Sequence, residues 1–421
     1  MIVGTNLLYP DTWSTFRPWR DEVRQAEPLW TGTWGERKPV RVPSNLVARA
    51  VVGDAGAMKP GSYRAHEAGG YTFRGDINQG TVGTDTVWIE GPADPLALAP
   101  ALFDTDFGHC KAEFRESLAP FAAMVRVMDW CKPGSGIRSI DEIRRSGGSA
   151  TAIPLEIAGL DGLSPEVGIR PQFFQELPQA GCKRIWLNMP LRVAASQVEA
   201  IRWVQAYVPR DIEVFITIGN ELWNQDPRFV ATHWLQRQAK AIWPTVPPML
   251  GACHLLLKAL VQLKAWLAAD PRFTVVFEWW NANRWPLLQG EWGADFARAA
   301  VRDLGHVAVA PYWGHGCTEA SQLNESMDQP VEDLARWATL CRELGATLHL
   351  YEFGPELPQP VTIPPAALAR AEAAVLEYVR PHVSGYACRY ALAGQQWGAE
   401  KRLGDRGPVY EALAAAAQVT A

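Results

Sequence analysis

Val214-Phe215-Ile216-Thr217-Ile218-Gly219-Asn220-Glu221-Leu222-Trp223-Asn224 is the stretch that decides the fold. Its first five residues are almost wholly apolar, β-branched or aromatic, the character of a strand buried on both faces. Gly219 breaks the run, Asn220 and Glu221 follow, and an amphipathic segment begins near Arg228. A doubly buried strand that gives way to a polar loop and then a helix is the unit of a parallel sheet covered by helices.

The same unit recurs on both sides. Upstream stand Met124-Val125-Arg126-Val127-Met128 and Arg184-Ile185-Trp186-Leu187. Downstream stand Phe273 to Phe277, His306 to Ala310, Thr347 to Tyr351 and Val383 to Ala387. Helix-like segments run from Gln197 to Val208, Val331 to Leu344 and Pro364 to Val379. Two more, Arg228 to Trp243 and Pro248 to Ala268, lie between strands four and five. Adding Ile2 to Leu7 gives eight strands, the number that closes a (β/α)8 TIM barrel. The competing open, doubly wound sheet would carry a G-x-G-x-x-G turn after the first strand, and none is present.

One interval breaks the period. The first strand starts near Ile2 and the second near Met124, whereas a βα unit takes roughly 30 residues. Ser62 to Glu90 reads as short alternating strands separated by Gly, Asp and Asn turns. The expected organisation is a catalytic barrel of residues 1–10 and 110–421, with residues 35–109 inserted as a small β-rich subdomain over the barrel mouth.

Composition narrows the classes. The chain has 421 residues, 48% of them apolar and 20% charged, enough to bury a large core. Net charge is −5 without a run of like charges, which disfavours a nucleic-acid partner. No stretch of 18 apolar residues occurs, so no membrane span is expected. The N-terminus lacks the basic n-region and long apolar run of a secretory signal. Location is left open among the cytoplasm, a phage particle and export with the signal already removed. The 7 cysteines form no C-x-x-C pair, the 8 histidines are dispersed, and no H-E-x-x-H, EF-hand, P-loop or G-x-S-x-G string occurs. Neither a metal nor a cofactor is expected.

In such barrels chemistry sits at the C-terminal ends of the strands. Strand four ends in Asn220-Glu221, and strand seven in Tyr351-Glu352-Phe353-Gly354. Two carboxylates facing across a cleft suit glycosidic bond cleavage, one protonating the leaving oxygen and the other attacking the anomeric carbon; a separation of about 5 to 5.5 Å belongs to the retaining version. Taken singly, a strand-end glutamate serves equally as the partner of an arginine or as a helix cap.

Ile218-Gly219-Asn220-Glu221 and Tyr351-Glu352-Phe353-Gly354 resemble the Asn-Glu and Glu signatures of the clan A retaining glycoside hydrolases, and Gly-Asn-Glu-Leu-Trp-Asn is similar to the core of a little-characterised bacterial and phage branch. The resemblance covers the barrel and not the insertion. It implies Glu221 as general acid/base, Glu352 as nucleophile, and Asn220 as partner of the sugar 2-hydroxyl. It also implies Tyr312 as a hydrogen-bond donor to the nucleophile, and Arg126 as the cation that keeps the nucleophile ionised. For Tyr312 a core phenol, and for Arg126 an interior salt bridge, stand as alternatives. Three positions depart from the clan pattern: Ala310 stands where a histidine is common, with His315 the nearest one; strand three ends in Asn188; and Arg389-Tyr390 occupies the usual place of a tryptophan, with Trp397 seven residues beyond Tyr390.

The 19 tryptophans fit this reading. Trp130, Trp223, Trp279, Trp280 and Trp313 fall just past expected strand ends, and Trp397 lies in the loop after strand eight. Indoles there would line a groove that stacks on pyranose rings. Glu278, ending strand five, is expected to contact substrate, as is His315. The resulting expectation is a retaining glycoside hydrolase that cleaves β-glycosidic bonds of a poly- or oligosaccharide by double displacement. A non-catalytic carbohydrate-binding barrel and a phage-associated depolymerase with the same chemistry are the alternatives.

Overall fold

The computed structural model describes residues 1–7, 112–127, 177–189, 208–226, 229–358, 360–393, 398–400 and 404–418. It also describes positions 201, 204 and 205, and the backbone of short strands between 27 and 91. Eight parallel strands make the ring: β1 (Ile2–Asn6), β2 (Val125–Arg126), β3 (Arg184–Met189), β4 (Glu213–Ile218), β5 (Phe273–Val275 and Phe277–Glu278), β6 (His306–Val309), β7 (Thr347–Pro355) and β8 (Tyr386–Arg389). Each pairs with its sequence neighbour, and β8 returns to β1 through Ile2↔Tyr386 and Thr5↔Arg389. The two pieces of β5 divide the work, the first bonding β4 and the second β6. The ring is therefore a closed (β/α)8 barrel.

Seven α-helices stand among the described residues: α1 (Ala112–Leu118), α2 (Val230–Ile242), α3 (Pro248–Leu267), α4 (Ala294–Leu304), α5 (Glu325–Leu344), α6 (Pro365–Val379) and α7 (Pro408–Gln418). By length and composition α3 could cross a membrane. Here it packs Leu256, Leu257, Leu260 and five other apolar side chains, with Gly251, into the core, which accounts for its apolarity. α5 begins six residues ahead of the expected start at Val331. A proline reads as a helix boundary because it lacks a donor, yet Pro330 lies inside this helix. β8 begins at Tyr386 and not at Val383, whose burial in the preceding loop gives it the apolar look of a strand residue.

Side chains along a strand alternate between faces, and the barrel sorts its residues by that rule. Val125, Ile185, Leu187, Val214, Ile216, Val307, Val309, Leu348 and Leu350 join the shell between strands and helices. Their neighbours Met124, Trp186, Phe215, Val276, Ala308, Tyr351 and Cys388 fill a separate apolar plug inside the ring. Two residues further up the same strands, on the same inner face, stand Arg126, Asn188, Thr217 and Glu278, all buried. The inner wall is thus apolar below and polar toward the mouth.

β7 departs from alternation. Leu350 pairs with Ala387 and Phe353 with Arg389, three residues against two on β8. The extra residue is a bulge, the device that re-aims a side chain at a strand end. Tyr351 and Glu352 consequently both turn inward, while Phe353 joins the outer shell.

Between β1 and β2 the described backbone forms a four-stranded antiparallel sheet of Glu27–Pro28, Ala48–Gly53, Val87–Gly91 and Thr72–Arg74. Glu27–Pro28 lies ahead of the expected boundary at residue 35, since a two-residue strand carries no readable period. The five described cysteines, Cys182, Cys253, Cys317, Cys341 and Cys388, are free and buried.

Candidate active site

Arg126 is the hub of the polar layer. Wholly buried on β2, its guanidinium donates from Nη1 to Glu352 Oε1 and to Asn6 Oδ1 (3.0 Å). Nη2 donates to Asn220 Oδ1 (3.0 Å) and faces both oxygens of Glu278 at 3.3 and 3.5 Å. The Tyr351 ring lies 4.9 Å from the guanidinium carbon. Burial works against the charge of Arg126, but Glu278 and Glu352 more than offset it and hold the group protonated.

Glu352 is 3% exposed, and its second oxygen accepts from the Tyr312 hydroxyl. Burial and the neighbouring Glu352 charge keep that phenol protonated. β7 thereby presents a carboxylate held at both oxygens, by Arg126 from β2 and by Tyr312 from the short strand Tyr312–Trp313 that follows β6.

Glu221 is placed by a strained turn. Gly219 has φ +72° and Glu221 φ +47°, Glu221 being the one non-glycine residue with positive φ among those described. Such a conformation costs on the order of 1–3 kcal/mol and persists only where the surroundings impose it. Here Asn188 Nδ2 donates to the Gly219 carbonyl (2.8 Å), and the Thr232 hydroxyl and Asn224 amide donate to the Glu221 carbonyl (3.2 and 2.8 Å). A Cβ on residue 219 would lie 2.6 Å from Leu222 Cγ, so only glycine fits. The Glu221 carboxyl accepts from Asn224 Nδ2 at 2.9 Å. Burial first, and the Glu352 charge next, push it up to about 8.

A cleft of about 520 Å³ opens above these groups. Glu221, Asn224, Tyr312, Tyr390, Asn281, Gln329 and Asp333 are among the residues that border it. Trp223 and Trp280 form part of its wall as a stacked pair, 5.5 Å between centroids and 7° from parallel. The Trp223 indole N–H donates to the Tyr351 hydroxyl (3.2 Å), and Trp280 remains 39% exposed.

The structure thus brings together Glu221, Glu352, Asn220, Arg126, Tyr312, Glu278, Trp223 and Trp280. Trp313 is a correction: it is 2% exposed and packs in the outer shell, because alternation turns Tyr312 inward and its neighbour outward. Trp279 is buried for the same reason, following inward-facing Glu278 and stacking on Phe277. His315 projects from the rim with its side chain 86% exposed, 3.7 Å from Glu356. Trp130 and Trp397 lie outside the described residues. Arg389 points outward to a buried ion pair with Glu372 on α6 (2.7 Å). Asn6, Asn188, Asn224, Gln329, Asp333 and Tyr390 were not expected as site residues. For Asn6 and Asn188 the signal is a polar residue at an inward position near a strand end. Among the described residues, no group of three or more His, Cys, Asp or Glu side chains is placed to hold a metal ion.

No protein-family model matches the chain, and no curated protein does. Among solved structures it is similar to the endo-β-1,4-mannanase from Thermotoga petrophila, at 13% identity over 73% of this chain and 74% of that one, TM-score 0.43. A glucosidase from Croceicoccus marinus matches at 12% identity, 72% and 62% coverage and TM-score 0.45. The endo-β-1,4-glucanase from Xanthomonas axonopodis pv. citri matches at 13%, 73%, 89% and 0.39. Likenesses this distant leave substrate and catalytic residues to the geometry of the site.

Proposed function

We propose that the protein is a retaining glycoside hydrolase acting on β-glycosidic bonds of an oligo- or polysaccharide. One observation carries this: Glu221, a carboxyl pushed up by burial and by the Glu352 charge, borders an aromatic-walled cleft, and Tyr312 of the same cleft wall joins Arg126 in donating to Glu352. These are the two roles that double displacement requires.

Glu352 attacks the anomeric carbon while Glu221 gives its proton to the departing oxygen, and the glycosidic bond breaks as the glycosyl–Glu352 ester forms. Ester formation removes the negative charge that helps to keep Glu221 protonated. Glu221 is then the base that takes a proton from water as the water oxygen attacks the anomeric carbon, and Glu352 leaves as carboxylate. Asn220, held by Arg126, is the group this reading assigns to the sugar 2-hydroxyl. Trp223 and Trp280 present indole faces to pyranose rings.

A panel of β-linked glucans, mannans and xylans, assayed for new reducing ends, tests the activity. Proton NMR of the first product tests the stereochemistry, with the β-anomer expected first. With azide, Glu352→Ala should yield an α-glycosyl azide and Glu221→Ala a β-glycosyl azide. An α-anomer as first product rejects the retaining mechanism, and full activity in Glu352→Ala rejects the site.

A further inference from the structure

Glu278 is the third carboxylate of the polar layer. Like Glu352 it is buried, 5% exposed, and does not border the cleft that Glu221 lines. Its polar neighbours are donors: Arg126 Nη2 faces both oxygens, and Asn188 Nδ2 donates to Oε2 at 3.0 Å. Each of these donors also reaches the β4 turn. Asn188 Nδ2 donates to the Gly219 carbonyl, and Arg126 Nη2 donates to Asn220 Oδ1. Glu278 is thus the common end of two arms that grip the segment in which Gly219 and Glu221 hold positive φ.

We propose that Glu278 is a positioning residue for Asn220 and Glu221, its carboxylate anchoring Arg126 and Asn188 and placing a further negative charge behind the Glu221–Glu352 pair. This rests on Glu221 as the acid/base and goes beyond it by giving the third carboxylate a task other than substrate contact. The groups within its electrostatic reach are Arg126 on β2, Glu221 after β4, Tyr351 and Glu352 on β7, and Cys388 on β8. Of these only Arg126 is a cation. Burial pushes Glu278 itself up to about 7, so its charge is present on the alkaline side, where it helps to keep Glu221 protonated. A bidentate anchor for an arginine and an asparagine also sets geometry, and a displacement of about 1 Å in a reacting group costs roughly 100-fold in rate.

The test compares wild type with Glu278→Gln by carbon NMR titration of the Glu221 carboxyl, which needs no substrate, and by kcat and KM on any glycan cleaved. The Glu221 midpoint should fall by about half a pH unit or more, because a repelling charge is gone. kcat should fall about tenfold or more with KM within about threefold, the pattern of lost transition-state alignment. An unmoved midpoint overturns the proposal, as does a raised KM with unchanged kcat, which marks a substrate contact. A lowered midpoint in a protein that cleaves no glycan sinks the hydrolase reading and leaves the electrostatic role of Glu278 standing. Should Glu278→Gln not fold, Asn188→Ala severs the other arm: a tenfold loss of kcat at near-wild-type Tm supports the proposal, and wild-type kcat overturns it.

Discussion

Glu221→Gln removes a carboxyl that the fold holds neutral, and stability should report it. The folded-state value is about 8 against an ordinary 4.5, through burial and then the Glu352 charge. For a carboxyl raised in this way the sign is fixed. Below about pH 4.5 both states bind the proton and nothing is lost. As pH climbs toward 8 the unfolded chain releases a proton that the folded chain keeps, and stability falls. At pH 7 the gap is about 2.5 units, or about 3 kcal/mol at 1.36 kcal/mol per unit. That is an upper value, because the carboxyl keeps an edge on the cleft. Glutamine has the same shape and no proton to lose. With an unfolding entropy of roughly 2.1 cal/mol/K per residue over the whole chain, about 3 kcal/mol becomes a Tm rise of about 3 °C. Calorimetry at pH 5, 7 and 8 should show the variant's advantage small at pH 5, about 3 °C at pH 7 and larger at pH 8. Hydrolysis should meanwhile fall about 10²–10⁴-fold. An advantage that does not grow with pH would refute the assignment of a neutral, desolvated Glu221.

Trp280→Ala removes half of the stacked pair. KM for a polymeric substrate should rise about tenfold with kcat changed less than about threefold, and an unchanged KM in initial-rate assays counts against the aromatic wall as a sugar platform. Gly219→Ala combines positive φ with a contact at 2.6 Å to Leu222. It should cost about 2 kcal/mol or more in denaturant unfolding and lower kcat; wild-type values in both would show that the turn is not strained. Burial pushes His349 down to about 3 from 6.5, so the unfolded chain takes up a proton first as pH falls through that window. His349→Gln should therefore gain on wild type by about 2 kcal/mol between pH 7 and pH 5 in urea titrations, and a difference independent of pH would contradict a neutral buried imidazole.

Much of this site is legible in the chain because its cues are local. Gly219-Asn220-Glu221 and Glu352 stand where apolar runs end, and Arg126 interrupts one, so each announces itself without knowledge of its partners. The tryptophans show where such reasoning stops. Trp279 and Trp280 are adjacent, yet one is sealed in the shell and the other stacks on Trp223, because alternation sends neighbours to opposite faces. Applied at Tyr312-Trp313, the same period separates a donor to Glu352 from a core indole. Asn188 is visible in sequence only as the residue that ends strand three, and Asn6 only as a polar residue at the end of strand one, because their importance lies in converging on groups of other strands.

The sequence by itself determined the eight buried strands, their order and the two glutamates at strand ends, since hydrophobic period and turn chemistry act over a few residues. Only the tertiary structure decided which way Glu352 points. Strict alternation would send it outward beside inward-facing Tyr351, and the extra residue on β7 between Leu350 and Phe353 turns it back to the mouth. That bulge is a property of the pairing between β7 and β8, set by the register of a closed ring. No window of sequence short enough to read as a strand contains both partners.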